Sequence, residues 1–332
     1  MRSPRPLLLA LALLLPTLPA ASEDGKKKPK PTPLERGIAG IQQGADTVRL
    51  QAAHDLGLLG EEAVEPLRAL MKSRDPLTRE CVLFAFSFMR TPADYLPEFK
   101  SGLKDTEGAV RAVALQQCHQ LAPEDPIVAA AVGTAHQDKS PRVRIWSVSA
   151  AEERLRRRDQ SDGWQESLSR VESLLTDKEG SVRTAAAEVW LWFCPRDTAG
   201  PAILAMASSD KDPGARATAL RGLGKFPPAE TLPILVAALS GGTERTRAAA
   251  AVALGEVINP ATLPPDLAPK LQAALTTLLG RKTAEDRSSA LRVLKAFPED
   301  PGGHLPAVER LGSDGDPLVK NLAGEILERW KR

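Results

Sequence analysis

One pattern constrains the fold of this chain more than any other: an Asp, then six residues on an Arg or Lys, then small residues at helical spacing. It reads Asp177…Val182-Arg183-Thr184-Ala185-Ala186, and returns as Asp105…Val110-Arg111, Asp138…Val143-Arg144, Asp210…Ala215-Arg216 and Asp314…Val319-Lys320. Internal repetition at this period means a stack of short units rather than one globular core. Aligned on the basic position, the series is Arg49, Arg79, Arg111, Arg144, Arg183, Arg216, Arg247, Arg287 and Lys320, which predicts nine units between Leu34 and the C-terminus. Each unit reads as two helices, the second opening just before the basic residue. Pro66, Pro92, Pro126, Pro195, Pro227-Pro228, Pro264-Pro265 and Pro298 mark expected helix ends. Longer steps place insertions around Arg154–Gly163 and Asn259–Pro269.

The physics of the unit follows from its spacing. Counting the residue before the Arg as zero, positions 0, 4, 8 and 11 share one helix face. They are Val182, Ala186, Trp190 and Phe193 in the fifth unit, and Ala215, Ala219, Leu223 and Phe226 in the sixth. Small side chains let helices approach closely. One helix pair cannot bury its apolar stripe alone, so stacking is expected to build one continuous core. An aromatic content of 4% suits a core of Ala, Leu and Val.

The repeated Asp can accept N–H groups opening the second helix and can meet an Arg of its own or the next unit. Asp105, Arg111, Asp138, Arg144, Asp177, Arg183, Asp210 and Arg216 therefore read as a structural ladder fixing register, although an exposed pair adds only about 0–1 kcal/mol.

The Asp-x5-Arg pairs, with phrases such as Val182-Arg183-Thr184-Ala185-Ala186 and Arg247-Ala248-Ala249-Ala250-Ala251-Val252-Ala253-Leu254-Gly255, resemble the HEAT family. The likeness is to short bacterial units of the phycobilisome-lyase type and spans residues 34–332. It implies an all-α, right-handed solenoid of about nine helix pairs that binds proteins or peptides on its concave side. A lyase or another enzyme of that type is the alternative it implies. Units one, two, seven and eight depart from the pattern, lacking the Asp six residues before the Arg.

Ahead of the repeats, Arg2 and Arg5 precede an apolar run from Leu7 to Leu15, then Pro16 and Ala20-Ala21-Ser22. A positive start, a short apolar stretch and small residues at a cut site predict a secretory signal over residues 1–22. That run is too short to cross about 30 Å of hydrocarbon, so a periplasmic or secreted protein without a membrane span is expected. Residues 23–33, rich in Lys and Pro, read as a flexible tether. With 44 Lys+Arg against 42 Asp+Glu, losing Arg2 and Arg5 leaves the charges balanced. A neutral chain has no global electrostatic reason to bind nucleic acid.

Catalytic residues are sparse. His54, His119, His136 and His304 are scattered, and no His-Glu pair matches the iron-binding hydroxylases that share these repeats. Cys81, Cys118 and Cys194 have no metal-binding spacing, and the offset of Cys81 from Cys118 exceeds disulfide reach. Gly222-Leu223-Gly224-Lys225 reads as a helix end rather than a phosphate loop. No catalytic, metal or cofactor site is expected. The run Glu152–Asp159 reads as a solvated helix with Glu152–Arg156 and Glu153–Arg157 pairs.

One feature stands out. Positions 2, 3, 6, 9 and 10 of the second helix are its non-core face. Units six to nine place mainly small, polar or charged residues there, including Arg221, Lys225, Arg292, Lys295, Glu325 and Arg329. Units two to five place Phe84, Phe88, Val113, Ile145, Trp146, Leu191 and Trp192 there instead. Clustered exposed aromatics predict an interaction surface.

Overall fold

The computed structural model describes residues 30–156, 163–197 and 199–331. Over these residues it holds eighteen α-helices and no strand, in nine consecutive pairs. The pairs are α1 (Pro33–Gln43) with α2 (Asp46–Leu59), α3 (Glu61–Leu70) with α4 (Pro76–Ser87), and α5 (Leu96–Gly102) with α6 (Gly108–Leu121). Next come α7 (Pro126–Thr134) with α8 (Pro141–Arg156), α9 (Gly163–Ser173) with α10 (Gly180–Phe193), and α11 (Pro201–Ser209) with α12 (Pro213–Gly222). The last three are α13 (Pro228–Ser240) with α14 (Glu244–Val257), α15 (Ala268–Leu279) with α16 (Ala284–Leu294), and α17 (Leu305–Leu311) with α18 (Pro317–Trp330). The chain is an α-solenoid.

Local chemistry sets the helix starts. Asp75, Asp125, Asp212 and Asp316 accept backbone N–H groups of α4, α7, α12 and α18, each with Pro in the first turn. Proline there loses no helix hydrogen bond and arrives with its φ already helical. Two prolines depart from this rule: Pro66 and Pro233 lie inside α3 and α13. For Pro66 the expected boundary moves upstream, because Gly60 at φ 66 makes the turn and starts the next helix early. The insertion at Arg154–Gly163 falls partly outside the described residues, as do the Arg157 half of the Glu153 pair, residues 1–22 and most of the 23–33 tether. The insertion at Asn259 forms a short 3₁₀ turn, Pro260–Thr262, before α15 begins.

Core positions are buried as the spacing requires. Val182, Ala186, Ala215, Ala219 and Leu223 are wholly buried, and Trp190 nearly so. The three cysteines are free and buried, and burial pushes the Cys81 and Cys118 thiols up to about 11, leaving them inert. The core is not continuous, however. One apolar cluster runs from Ile41 to Val143 and a second from Val148 to Ile326, so the division falls inside α8. Ser147 stands where other units place a small apolar residue, and its hydroxyl donates to the Arg144 carbonyl at 2.6 Å. Beside it α7, α8 and α9 leave a cleft lined by His136, Arg154, Ser167 and Arg170 among apolar residues. Burial and the Arg170 guanidinium hold the His136 imidazole below its ordinary pKa.

The two helix layers are spaced differently. Second helices pack on one another at every junction, whereas first helices are spread apart at most of them. A stack whose one layer is closer-spaced bends toward that layer, so the second helices line the concave side. Arg142 on α8 reaches Glu80 on α4 at 3.5 Å, across the intervening α6. Only an inward-curving layer brings units two and four within contact.

Candidate protein-binding face

The basic residues build the frame that carries this face. Arg79 donates to both oxygens of Asp105 (2.7 and 2.7 Å), Arg111 to Asp138 (2.9 and 2.5 Å), and Arg183 to Asp210 (2.7 and 2.5 Å). Arg144 grips Asp177 in the same way, and Arg287 reaches Asp314 at 2.8 Å. Every pair runs from one unit to the next. The remaining Nη1 returns to a carbonyl six residues back, as in Arg183 to Asp177 O at 2.7 Å. Planar two-point contact of this kind is what guanidinium offers and ammonium does not.

The Asp does not cap the helix directly. Its Oδ1 accepts the N–H two residues on, Glu107 from Asp105 and Glu179 from Asp177, both at 2.8 Å, and those residues are themselves the N-caps of α6 and α10. It thereby shapes the turn ahead of the helix. Two rungs use carboxylates that the six-residue spacing missed: Asp75 takes Arg49 at 2.5 Å, and Asp286 takes Arg247 at 2.6 and 2.8 Å. The signal for both was any aspartate within the turn before or the first turn of the second helix. Arg216 makes no such pair; its Nε donates to the Ala207 carbonyl at 3.1 Å.

The arginine hydrogen bond is the largest influence on Asp105 and Asp314, and it holds both carboxyls below their usual range. Burial opposes the charge on Asp138, Asp177 and Asp286. Hydrogen bonds from arginine and from nearby backbone or hydroxyl donors outweigh it, and these carboxyls are lowered too.

On the concave side, the residues expected to be exposed divide. Trp192 is 68% exposed and Phe88 46%. Phe84, Ile145 and Trp146 are half-buried. Leu191 is buried, which corrects its placement on the open face, and Val113 is buried as well. Position 9 points sideways at the next second helix: a Cβ on Gly222 would lie 2.3 Å from Leu191 Cδ1. Leu191 therefore fills the space above a glycine of the neighbouring unit.

The exposed and half-buried rings are braced across unit boundaries. His54 meets Phe88 edge-on at 5.0 Å, His119 meets Trp146 edge-on at 5.8 Å, and Lys225 Nζ stands 4.7 Å from the Trp192 ring. Leu58, 69% exposed, sits at the same helical position as Phe88 and Trp192 and extends the row to the first unit. The same count of ten from Val48 finds it in the sequence. Farther along, Arg221, Lys225 and Arg292 have no carboxylate partner among the described residues, while Lys295 pairs with Glu325 at 2.6 Å.

No group of three His, Cys, Asp or Glu among the described residues could hold a metal. Nor is any described helix long and apolar enough to cross a membrane.

Residues 200–295, which contain α11 to α16, match the family model for HEAT repeats. These units are HEAT repeats. The whole solenoid superposes on other proteins of this architecture at low identity. Kap121p matches with a TM-score of 0.52 and 16% identity, over 90% of this chain and 37% of Kap121p. Kap121p bound to the extreme C-terminus of the protein phosphatase Cdc14p matches with a TM-score of 0.51, 16% identity and the same coverage. Kap95p, from its complex with RanGDP, matches with 0.54 and 14% identity, over 89% of this chain and 44% of Kap95p. The chain thus spans less than half the length of these HEAT-type karyopherins, and the likeness is one of fold. No curated protein matches the chain by sequence.

Proposed function

We propose that this protein is an exported, non-catalytic scaffold whose concave face of HEAT repeats holds an extended, acidic and apolar peptide segment of another protein. The observation that carries this reading is Trp192, 68% exposed on an inner helix and braced by Lys225. An indole left open to solvent costs free energy unless a partner covers it, and Trp is the residue type that dominates binding energy at interfaces. Leu58 and Phe88 continue the apolar row toward the N-terminal units. Arg221, Lys225 and Arg292 on the following units supply positive charge, which complements acidic side chains.

The likeness to Kap121p bound to a C-terminal segment of Cdc14p supports the mode of binding and not the partner. Export rests on Arg2, Arg5, the Leu7–Leu15 run and Ala20-Ala21-Ser22. A mature N-terminus at about residues 20–24 is expected, and native protein beginning at Met1 would remove that part of the reading.

The test uses labelled peptides of about twelve residues, long enough to span about 40 Å when extended. One set joins a Leu/Phe block to an Asp/Glu block in either order, and the other replaces the acids with Lys. The acidic set should bind by fluorescence anisotropy and the Lys set should not. Trp192→Ala should weaken binding at least tenfold, about 1.4 kcal/mol, with the melting temperature lowered by no more than a few degrees. Equal binding of both sets, or no effect of Trp192→Ala, would defeat the proposal.

A further inference from the structure

The ladder has one rung with an arginine and no acid. Between units six and seven the acceptor position, six residues before Arg247, is Gly241. Arg216 faces it half-buried, with its Nε turned back to the Ala207 carbonyl and its two Nη groups free of any carboxylate among the described residues. Nη1 points toward the unit-seven turn, where a Cβ on Gly242 would lie 3.6 Å away. At every other rung except that of Asp286 the carboxylate also takes the N–H two residues on. The corresponding N–H here, that of Thr243, has no acceptor among the described residues. The two Nη groups of Arg216 and the N–H of the following turn are therefore left for a carboxylate, while the Nε that grips Asp at other rungs is engaged by the Ala207 carbonyl.

The space for the missing group is open. A Cβ on Gly241 would meet only the Ala237 carbonyl, at an ordinary 3.8 Å, and Gly241 has an extended backbone that any residue adopts (φ −130, ψ −178). Nearby acids are engaged or remote. Asp210 pairs with Arg183, Asp212 caps α12, Asp286 pairs with Arg247, and exposed Glu244 makes no hydrogen bond or ion pair with Arg216.

We propose that the Arg216 rung is a carboxylate-binding site, filled from outside the chain by the group that Asp supplies at the neighbouring rungs. Arg216 Nη1 and Nη2 would hold its oxygens, with the Thr243 N–H at the opening of α14 as a third donor. The inference goes beyond the concave-face reading and stands whether or not that face binds peptide.

The experiment follows the line width of ¹³C-carboxylate acetate added to the protein, at constant ionic strength held with chloride. A second arm uses aspartate blocked at both ends. Wild-type protein should broaden the carboxylate signal. Arg216→Ala should weaken the effect at least tenfold. Gly241→Asp should also abolish it, because the internal carboxylate fills the rung, and should raise the melting temperature. That last readout keeps the test decisive if Arg216→Ala folds poorly. Tighter binding of blocked aspartate assigns the rung to an acidic side chain of a partner protein, and equal binding assigns it to free small carboxylates. No broadening by wild type, or undiminished broadening with Gly241→Asp, would overturn the proposal.

Discussion

Arg144 holds both oxygens of Asp177, thirty-three residues ahead, at 2.6 and 2.8 Å, while its Nη1 donates to the Asp138 carbonyl at 2.8 Å. This rung joins α8 to α10 at the junction where the apolar core divides, so an ion pair ties together what apolar packing alone leaves in two clusters. Its side chains are 6% and 8% exposed, whereas Asp75 in the Arg49 rung is 41% exposed.

The ladder should therefore be uneven in strength. Removing one partner of a buried pair strands the other charge and costs about 3–5 kcal/mol, against about 0–1 kcal/mol for an exposed pair. Arg144→Ala should lower unfolding stability by about 3 kcal/mol and Arg49→Ala by about 1 or less, read from denaturant midpoints. Equal losses at the two positions would show that burial does not set the value of a rung.

Acid should loosen the stack. Asp105, Asp138, Asp177, Asp286 and Asp314 all have folded-state pKa values below the ordinary carboxylate range. A depressed folded pKa contributes stability that is fully present above the unfolded value, about 4, and is lost as pH falls through the folded value. The melting temperature should hold from neutral pH to about 5 and then drop steeply below about 4. The Arg144→Ala protein should show a shallower drop. A melting curve that stays flat to pH 2 would mean these carboxylates carry no folding free energy.

Gly222 is set by Leu191 rather than by chain flexibility. It is the last residue of α12 and keeps helical angles (φ −66, ψ −25), yet any Cβ there would press to 2.3 Å of a buried leucine tip on the preceding unit. Alanine normally stabilises a helix relative to glycine by about 1 kcal/mol. Here Gly222→Ala should instead destabilise by about 1–2 kcal/mol through overpacking. Pairing it with Leu191→Val should restore part of the loss, and a double-mutant cycle measures that coupling.

The solenoid was legible because its signal is periodic: Val182, Ala186 and Trp190 fall on one face by arithmetic alone, and the helices follow. The direction of each Arg was not, since six-residue spacing pairs Arg183 with Asp177 as readily as with Asp210. Only the stacking of α10 on α12 decides that it reaches forward. Asp75 and Asp286 escaped for the same reason, occupying the right place in space from the wrong place in sequence. Leu191 was misplaced because position 9 is open on an isolated helix pair and closed once a neighbour arrives. A face counted on one helix cannot show what the next unit covers.

Trp190 and Trp192, two residues apart on α10, should behave as opposites. Trp190 is 5% exposed, stacks on Phe226 at 6.2 Å, and has the Gly200 backbone against its ring edge. Truncating such a side chain removes its transfer free energy and leaves a cavity, so Trp190→Ala should cost about 3–5 kcal/mol. Trp192 is open to solvent and loses only its contact with Lys225, worth about 0.5–1 kcal/mol at an exposed site. Trp192→Ala should accordingly leave stability within about 1 kcal/mol of wild type. Iodide quenching separates the two without relying on stability. Trp192→Phe should remove the most accessible, red-shifted part of the emission, while Trp146, Trp164 and Trp330, all half-buried, remain as a partly protected background. If Trp192→Phe left the quenchable fraction intact, the indole would be covered in solution, and the concave face would have no open aromatic to offer a partner.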